Sequence, residues 1–156
     1  MRARVFVGFF AALILAAIPI AAHANSSAPK ATGGGQILIG ERNGGNSAGD
    51  TIAFNAQDPT TPKGQVQYVD RSGGTQTVWH GTVDCLQISG NMAYIGGHWT
   101  SQGTGTFALY AEDNGEGSAA NDDMIEIDQG GGGQGPCGTT SNNSVALARG
   151  NVQVHS

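Results

Sequence analysis

An acidic, glycine-containing stretch is the part of this 156-residue sequence best equipped for chemistry. Its carboxylate and amide side chains are Asp113, Asn114, Glu116, Asp122 and Asp123. Oxygen ligands of this kind, on a loop that glycines allow to turn tightly, are what calcium requires. The EF-hand pattern does not fit, because the glycine is misplaced and no glutamate stands at the closing position. The alternative, which the pattern favours, is a solvated turn in which Asp, Asn and Gly simply form a loop.

The histidines offer little support for a catalytic site. His80, His98 and His155 follow the apolar N-terminal segment, and none has a serine or cysteine beside it in a nucleophile-elbow context. Asp84 follows His80 by four residues, but same-face neighbours on one strand make a pair rather than a triad. No H-x-x-x-H or H-E-x-x-H spacing supports a zinc site. An enzyme would need a concave pocket that holds His80 or His98 beside a carboxylate.

Two tryptophans are the candidate residues for stacking on a ligand. Trp79 and Trp99 fall on the two strands of a predicted hairpin, where they could pair across the sheet. Exposed, they would stack on a sugar or on a partner protein. Buried, they would belong to the core, which is the alternative we favour.

The N-terminal segment, residues 1–24, has the pattern of a secretory signal peptide. A basic start precedes an uncharged apolar run, and Ala22-His23-Ala24 supplies small residues where a signal peptidase cuts. An uncleaved membrane anchor is the alternative, but a spanning helix needs about 20 apolar residues and this run is shorter. We therefore expect cleavage after residue 24 and a secreted or periplasmic product without a membrane span.

Net charge limits the partners of the mature chain. Cleavage removes Arg2 and Arg4, so the basic count falls from 7 to 5 against 12 acids, and the net charge falls from −5 to −7. Nucleic acid and anionic membrane surfaces are disfavoured, because both attract positive patches. Cation binding and simple solubility both remain compatible with this charge. We expect an extracellular or envelope partner, and no cofactor other than calcium.

The two cysteines, Cys85 and Cys137, are the only ones in the chain. In an exported chain an even count implies a disulfide. Closing a loop of about 53 residues is worth about 4 kcal/mol in loop-closure entropy. Two free thiols, or half of a metal site, are the alternative.

Glycine content indicates the fold class. All but one of the 26 glycines follow the signal segment, and they separate short runs rich in Val, Ile, Thr, Phe and Tyr. This is typical of all-β chains. A flexible leader is predicted at 25–35 and one β domain at 36–156. Seven to nine strands predict a single antiparallel β-barrel or β-sandwich, and we favour the barrel because closure buries strand edges. The predicted strands are 36–40, 51–56, 65–71, 77–89, 92–100, 104–112, 124–128, 145–148 and 151–155.

A hairpin is the best-defined pair of strands. Only Gly90-Asn91 separates 77–89 from 92–100, and a two-residue loop of this composition suits a primed turn. The apolar face changes phase along the first strand, since Leu86 shares its face with Asp84. A bulge or bend at Gly81 would account for that change.

Residues 81–97, GTVDCLQISGNMAYIGG, resemble the core of a group of secreted, functionally uncharacterised bacterial β-domain proteins. The resemblance extends to residues 113–116, the second cysteine and the closing residues 150–155. It implies export and a β fold, and it brings neither catalytic residues nor a substrate. We therefore expect a secreted, non-catalytic β-domain protein with a binding or structural role. A small secreted hydrolase or lyase with a His/carboxylate site is the alternative.

Overall fold

The computed structural model describes most of the chain that follows the signal segment. The predicted signal peptide at 1–24 and the candidate calcium ligand Asp122 lie outside the described residues. Within the described part, no helix is long and apolar enough to cross a membrane. The residues described are 28–38, 49–71, 75–116, 123–130, 136–138 and 143–156.

The described residues form nine β-strands and one 3₁₀ turn at Pro136–Gly138, which confirms the all-β fold. Gly90 has φ of +63° in the hairpin turn, where glycine carries no steric penalty. The strands are β1 Lys30–Ile37, β2 Asp50–Gln57, β3 Lys63–Asp70, β4 Thr77–Ser89, β5 Met92–Trp99, β6 Thr106–Glu112, β7 Met124–Asp128, β8 Val145–Ala146 and β9 Arg149–His155.

All nine strands belong to one antiparallel sheet, in the order β8-β7-β6-β5-β4-β3-β2-β1-β9. One curled sheet, a half-barrel, is therefore present rather than a two-sheet sandwich. The chain passes from one edge of the sheet, β8, to the other edge, β9, through Leu147 and Ala148 alone. Consecutive Cα atoms are about 3.8 Å apart, so this link holds the two edges within about 11 Å of each other.

The concave side of the sheet holds the hydrophobic core. Along β2 the buried Ile52, Phe54 and Ala56 alternate with exposed neighbours, as period-2 patterning requires. The largest fully buried apolar side chains come from six different strands and from the link after β8. They are Val66, Val83, Ile95, Phe107, Leu109, Ile125, Leu147 and Val152.

The predicted leader is wrong in its second half, because β1 begins at Lys30 rather than at residue 36. This strand pairs with β2 on one side and with β9 on the other. Its glycine run suggests a linker, yet the neighbouring backbones leave no room for side chains. A Cβ on Gly34 would lie 2.7 Å from the carbonyl oxygen of Ile52, and one on Gly35 would lie 2.1 Å from that of Arg149.

The bulge in β4 lies at Asp84, three residues beyond the predicted position at Gly81. Val83 pairs with Gly97 and Cys85 pairs with Gly96, so Asp84 is the extra residue. Val83 and Leu86 are both buried, and the two residues between them both point outward. The phase change was thus predicted correctly, but its position was not.

Gly81 instead makes room for the core. A Cβ at this position would lie 2.6 Å from Cε1 of Phe107 and 3.0 Å from the ring of Trp99. Gly97 also makes room for the Phe107 ring, since a Cβ on Gly97 would lie 2.6 Å from Cζ of Phe107. The Phe107 ring therefore packs directly on the glycine backbone of two neighbouring strands.

Candidate functional site

The Cys85–Cys137 disulfide is present, as predicted, with Cα atoms 5.6 Å apart. It fixes the turn Pro136–Gly138 on the convex face of β4 and β5. A Cβ on Gly96 would lie 2.6 Å from the carbonyl oxygen of Cys137, so the turn lies flat on that glycine. The disulfide is consistent with an oxidising compartment.

The structure brings together Asp113, Asn114 and Asp123 of the predicted calcium set. Asp123 is completely buried, with a relative exposure of 0%. Its Oδ1 accepts the backbone N–H of Asn114 at 2.8 Å, and its Oδ2 accepts that of Val152 in β9 at 2.7 Å. Both oxygens of this buried carboxylate are therefore bound by backbone N–H groups.

Asp113 has a similar role beside it. Its Oδ2 accepts the N–H of Val154 at 3.1 Å, and its Oδ1 accepts that of Gly115 at 3.2 Å. Glu116 lies further out and accepts the side-chain amide of Gln153 at 3.0 Å. Within the described ranges no three His, Cys, Asp or Glu residues are grouped to hold a metal ion. These carboxylates fasten β9 to the β6–β7 connection, and calcium binding stays a prediction.

The two tryptophans are in contact, with ring centroids 5.4 Å apart. Trp99 has a relative exposure of 3%, packs on Phe107 at a centroid distance of 4.8 Å and donates its indole N–H to the carbonyl of Gln129. Trp79 is half-buried and packs against the same core. Of the two alternatives for these residues, the structure places Trp99 in the core.

A histidine–carboxylate pair lies on the convex face. Nδ1 of His98 and Oδ2 of Asp84 are 2.6 Å apart, and the two side chains have relative exposures of 52% and 54%. The sequence paired Asp84 with His80 along one strand, whereas the structure pairs it with His98 across β4 and β5. The bulge causes this difference, because it turns the Asp84 side chain toward β5. A carboxylate that fixes one imidazole nitrogen leaves the other able to accept a proton.

A shallow hollow of about 450 Å³ lies beside this pair, over β2, β3 and β4. Its polar lining, here called the polar depression, consists of side chains that each both donate and accept hydrogen bonds. Gln65 pairs with Thr82, and Gln67 pairs with His80, so four of its side chains stand in two adjacent rows. The polar depression comprises Asn55, Gln65, Gln67, His80, Thr82 and Thr100.

The polar depression contains no Lys, Arg, Asp or Glu among the described residues that line it. Two of its side chains are held by hydrogen bonds to the backbone. Oδ1 of Asn55 accepts the N–H of Gln65 at 2.9 Å, and the Thr100 hydroxyl donates to the carbonyl of His80 at 3.1 Å. This site was not predicted from the sequence, where the alternation of β2 and β3 indicated only the core. The polar half of the same alternation was the available signal.

No protein-family model, curated protein or solved structure matches this chain. The resemblance to secreted bacterial β-domain proteins therefore stays a prediction.

Proposed function

We propose that the protein is a secreted or periplasmic, non-catalytic β-domain that binds a neutral glycan through the polar depression. The N-terminal signal pattern and the Cys85–Cys137 disulfide support the compartment. The net charge, which is negative, disfavours nucleic acid and anionic membranes as partners.

The observation that carries this proposal is the chemistry of the polar depression. Six amide, hydroxyl and imidazole side chains converge on one hollow, and each of them can both donate and accept. A sugar hydroxyl also both donates and accepts hydrogen bonds, so each hydroxyl of the ligand can bind these side chains as a donor or as an acceptor. The lack of acidic and basic residues among the described lining favours a ligand without charge.

The test is binding of the mature protein to neutral oligosaccharides and polysaccharides, measured by glycan array and calorimetry. The Gln65→Ala/Gln67→Ala double variant should bind about tenfold more weakly, because two hydrogen bonds are worth about 1 kcal/mol net or somewhat more. Gln87→Ala is the matched control, since Gln87 is exposed on β4 but does not line the depression. Equal weakening by the control, or unchanged binding by the double variant, would reject the site.

A hydrolase or lyase is the second candidate, and the His98–Asp84 contact at 2.6 Å favours it. His98 also lines an open hollow of about 510 Å³ together with Thr104, Thr106 and Gln129. A histidine held in this way could act as a general base, which typically contributes about 10²- to 10⁴-fold in rate.

Catalytic turnover of a bound glycan distinguishes the hydrolase or lyase from the non-catalytic binding domain. If the second candidate is right, the wild-type protein hydrolyses or eliminates a bound glycan, and His98→Gln abolishes the reaction while binding persists. The non-catalytic proposal expects binding without turnover in both proteins.

A further inference from the structure

An opening remains in the half-barrel where its two edges meet. β8 pairs only with the first two residues of β7, Met124 and Ile125. Beyond them, the chain leaves for β9 through Leu147 and Ala148. The second half of β7 therefore faces the end of β1 without an intervening strand. A cavity of about 850 Å³ lies there, here called the seam cleft.

The inner part of the seam cleft is apolar. Ile37, Ile125 and Leu147 line it and are buried. Leu38 lies at its rim with a relative exposure of 51%, and it is the one large hydrophobic side chain exposed among the described residues. Clefts of about 300–1,000 Å³ with predominantly apolar walls are typical of small-molecule sites, and the mouths of curled sheets are a common place for them.

The outer part of the seam cleft is acidic. Side chains alternate along β7, so Glu126 and Asp128 lie on the other face of the strand from Ile125 and Ile127. All four border the cleft, because β8 pairs only with the first two residues of β7. These two carboxylates are the only charged side chains among the described lining. One oxygen of each is fixed by a backbone N–H, at 3.1 Å from Asn143 for Glu126 and at 2.8 Å from Gly130 for Asp128.

The deep polar group of the cleft, the Tyr68 hydroxyl, is already engaged. It donates to Oδ2 of Asp50 at 2.5 Å and also shares a hydrogen bond with the side chain of Gln129. Asp50 is itself buried and accepts the N–H of Arg71 at 2.7 Å. An apolar interior with two carboxylates at its outer part fits a ligand that has an apolar body and a positively charged head group.

We propose that the seam cleft binds a small cationic amphiphile, with its apolar chain along Ile37, Ile127 and Leu147 and its ammonium head at Glu126 and Asp128. This site shares no lining residue with the polar depression, so binding here does not depend on the proposed glycan binding.

The test compares three ten-carbon probes below their micellar concentrations: decyltrimethylammonium, the neutral decyl glucoside and decyl sulfate. Calorimetry measures the affinity of the mature protein, and amide ¹H–¹⁵N spectra locate the binding. We expect the cation to bind about fivefold to tenfold more tightly than the neutral probe, because two partly exposed ion pairs contribute modestly. The sulfate should bind most weakly. Amide shifts should be confined to residues 37–38, 124–128 and 145–148.

Two variants test the two halves of the site. Glu126→Gln/Asp128→Asn should reduce the affinity for the cation to that for the neutral probe and leave the latter unchanged. Val145→Phe should lower the affinity for all three probes, because Val145 lines the cleft and a phenyl ring would fill part of it. Glu116→Gln is the matched control, since it neutralises a carboxylate outside the cleft.

Circular dichroism and thermal melting show whether each variant keeps its fold. Equal binding of cation and neutral probe by the wild-type protein would overturn the assignment of the head group. Lack of binding by all three probes, or amide shifts outside the cleft, would overturn the site itself.

Discussion

The Asp123 carboxylate accepts the backbone N–H of Val152 at 2.7 Å, across the junction between the two edges of the sheet. Two residues further along β9, Val154 donates to Asp113 in the same way. The unpaired N–H groups of an edge strand can recruit another chain. Here two of them are bound by carboxylates instead of by a tenth strand. The acidic residues thus protect an edge that β1 alone would leave half exposed.

Replacing Asp123 by Asn should destabilise the protein by about 1–3 kcal/mol, because one of the two N–H groups that its carboxylate binds loses its acceptor. Urea unfolding should show a lower midpoint with an unchanged slope. Glu116→Gln, on the exposed part of the same connection, should change stability by less than about 0.5 kcal/mol. An Asp123→Asn midpoint equal to that of the wild-type protein would contradict the role of this carboxylate.

Calcium should leave the melting temperature unchanged at millimolar concentration. Both oxygens of Asp113 and both of Asp123 already accept N–H groups, so a cation would have to compete with the hydrogen bonds that hold β9. Differential scanning calorimetry with added calcium, followed by EGTA, checks this. A reversible rise in the melting temperature would instead establish the calcium site predicted from the sequence.

Stability should fall steeply above pH 10. Burial and the hydrogen bond to Asp50 raise the pKa of Tyr68 well above its usual value of 10.0, and burial and the bond to Glu112 do the same for Tyr110. Above pH 10, these two tyrosines lose their protons in the unfolded chain but keep them in the folded chain. The folded state is favoured in full below pH 10 and loses stability above it, by up to about 1.4 kcal/mol per pH unit for each tyrosine.

Alkaline unfolding curves of Tyr68→Phe and Tyr110→Phe check this expectation. Each variant should be less stable at neutral pH and should show a shallower decline above pH 10. Tyr94→Phe is the matched control. Among the hydrogen bonds of the described residues, the Tyr94 hydroxyl contacts only the sulfur of Met92. A decline of wild-type steepness in both variants would contradict the assignment.

Removing the disulfide should cost about 4 kcal/mol, because the unfolded chain regains the freedom of a loop that spans 52 positions. We expect a Cys85→Ser/Cys137→Ser variant to unfold at lower urea, and reductant to shift the wild-type protein to the same midpoint. The variant itself should not respond to reductant. Non-reducing peptide mapping of the exported protein should find the crosslink, and two alkylatable thiols would contradict it.

Much of the fold could be predicted from local patterns. β4 and β7 have the predicted bounds, since Gly90-Asn91 and the alternation of Ile125 and Ile127 are signals within a few residues. β1 could not be placed in this way. Its glycines are required by the close approach of Ile52 and Arg149, and those neighbours are known only once the sheet is assembled.

The sites were less predictable, because they depend on which strands become neighbours. Asp84 contacts His98 only because a bulge shifts the register of β4 against β5. Gln65 and Gln67 were visible as the polar half of an alternating strand, but the hollow that they line also needs β2 and β4. Asp123 looked like one of several loop acids, and nothing local distinguishes it as a buried acceptor for β9.

The pairing of β1 with β9 also has a consequence for folding. Lys30 lies opposite His155, so the first strand described finds one of its two partners only in the last residues of the chain. Contacts between such distant positions close a very long loop, and they slow folding. Until β9 has formed, β1 is paired on one side alone, with β2. A chain caught at that stage presents the glycine-rich β1 as an open sheet edge, to which another extended chain could add.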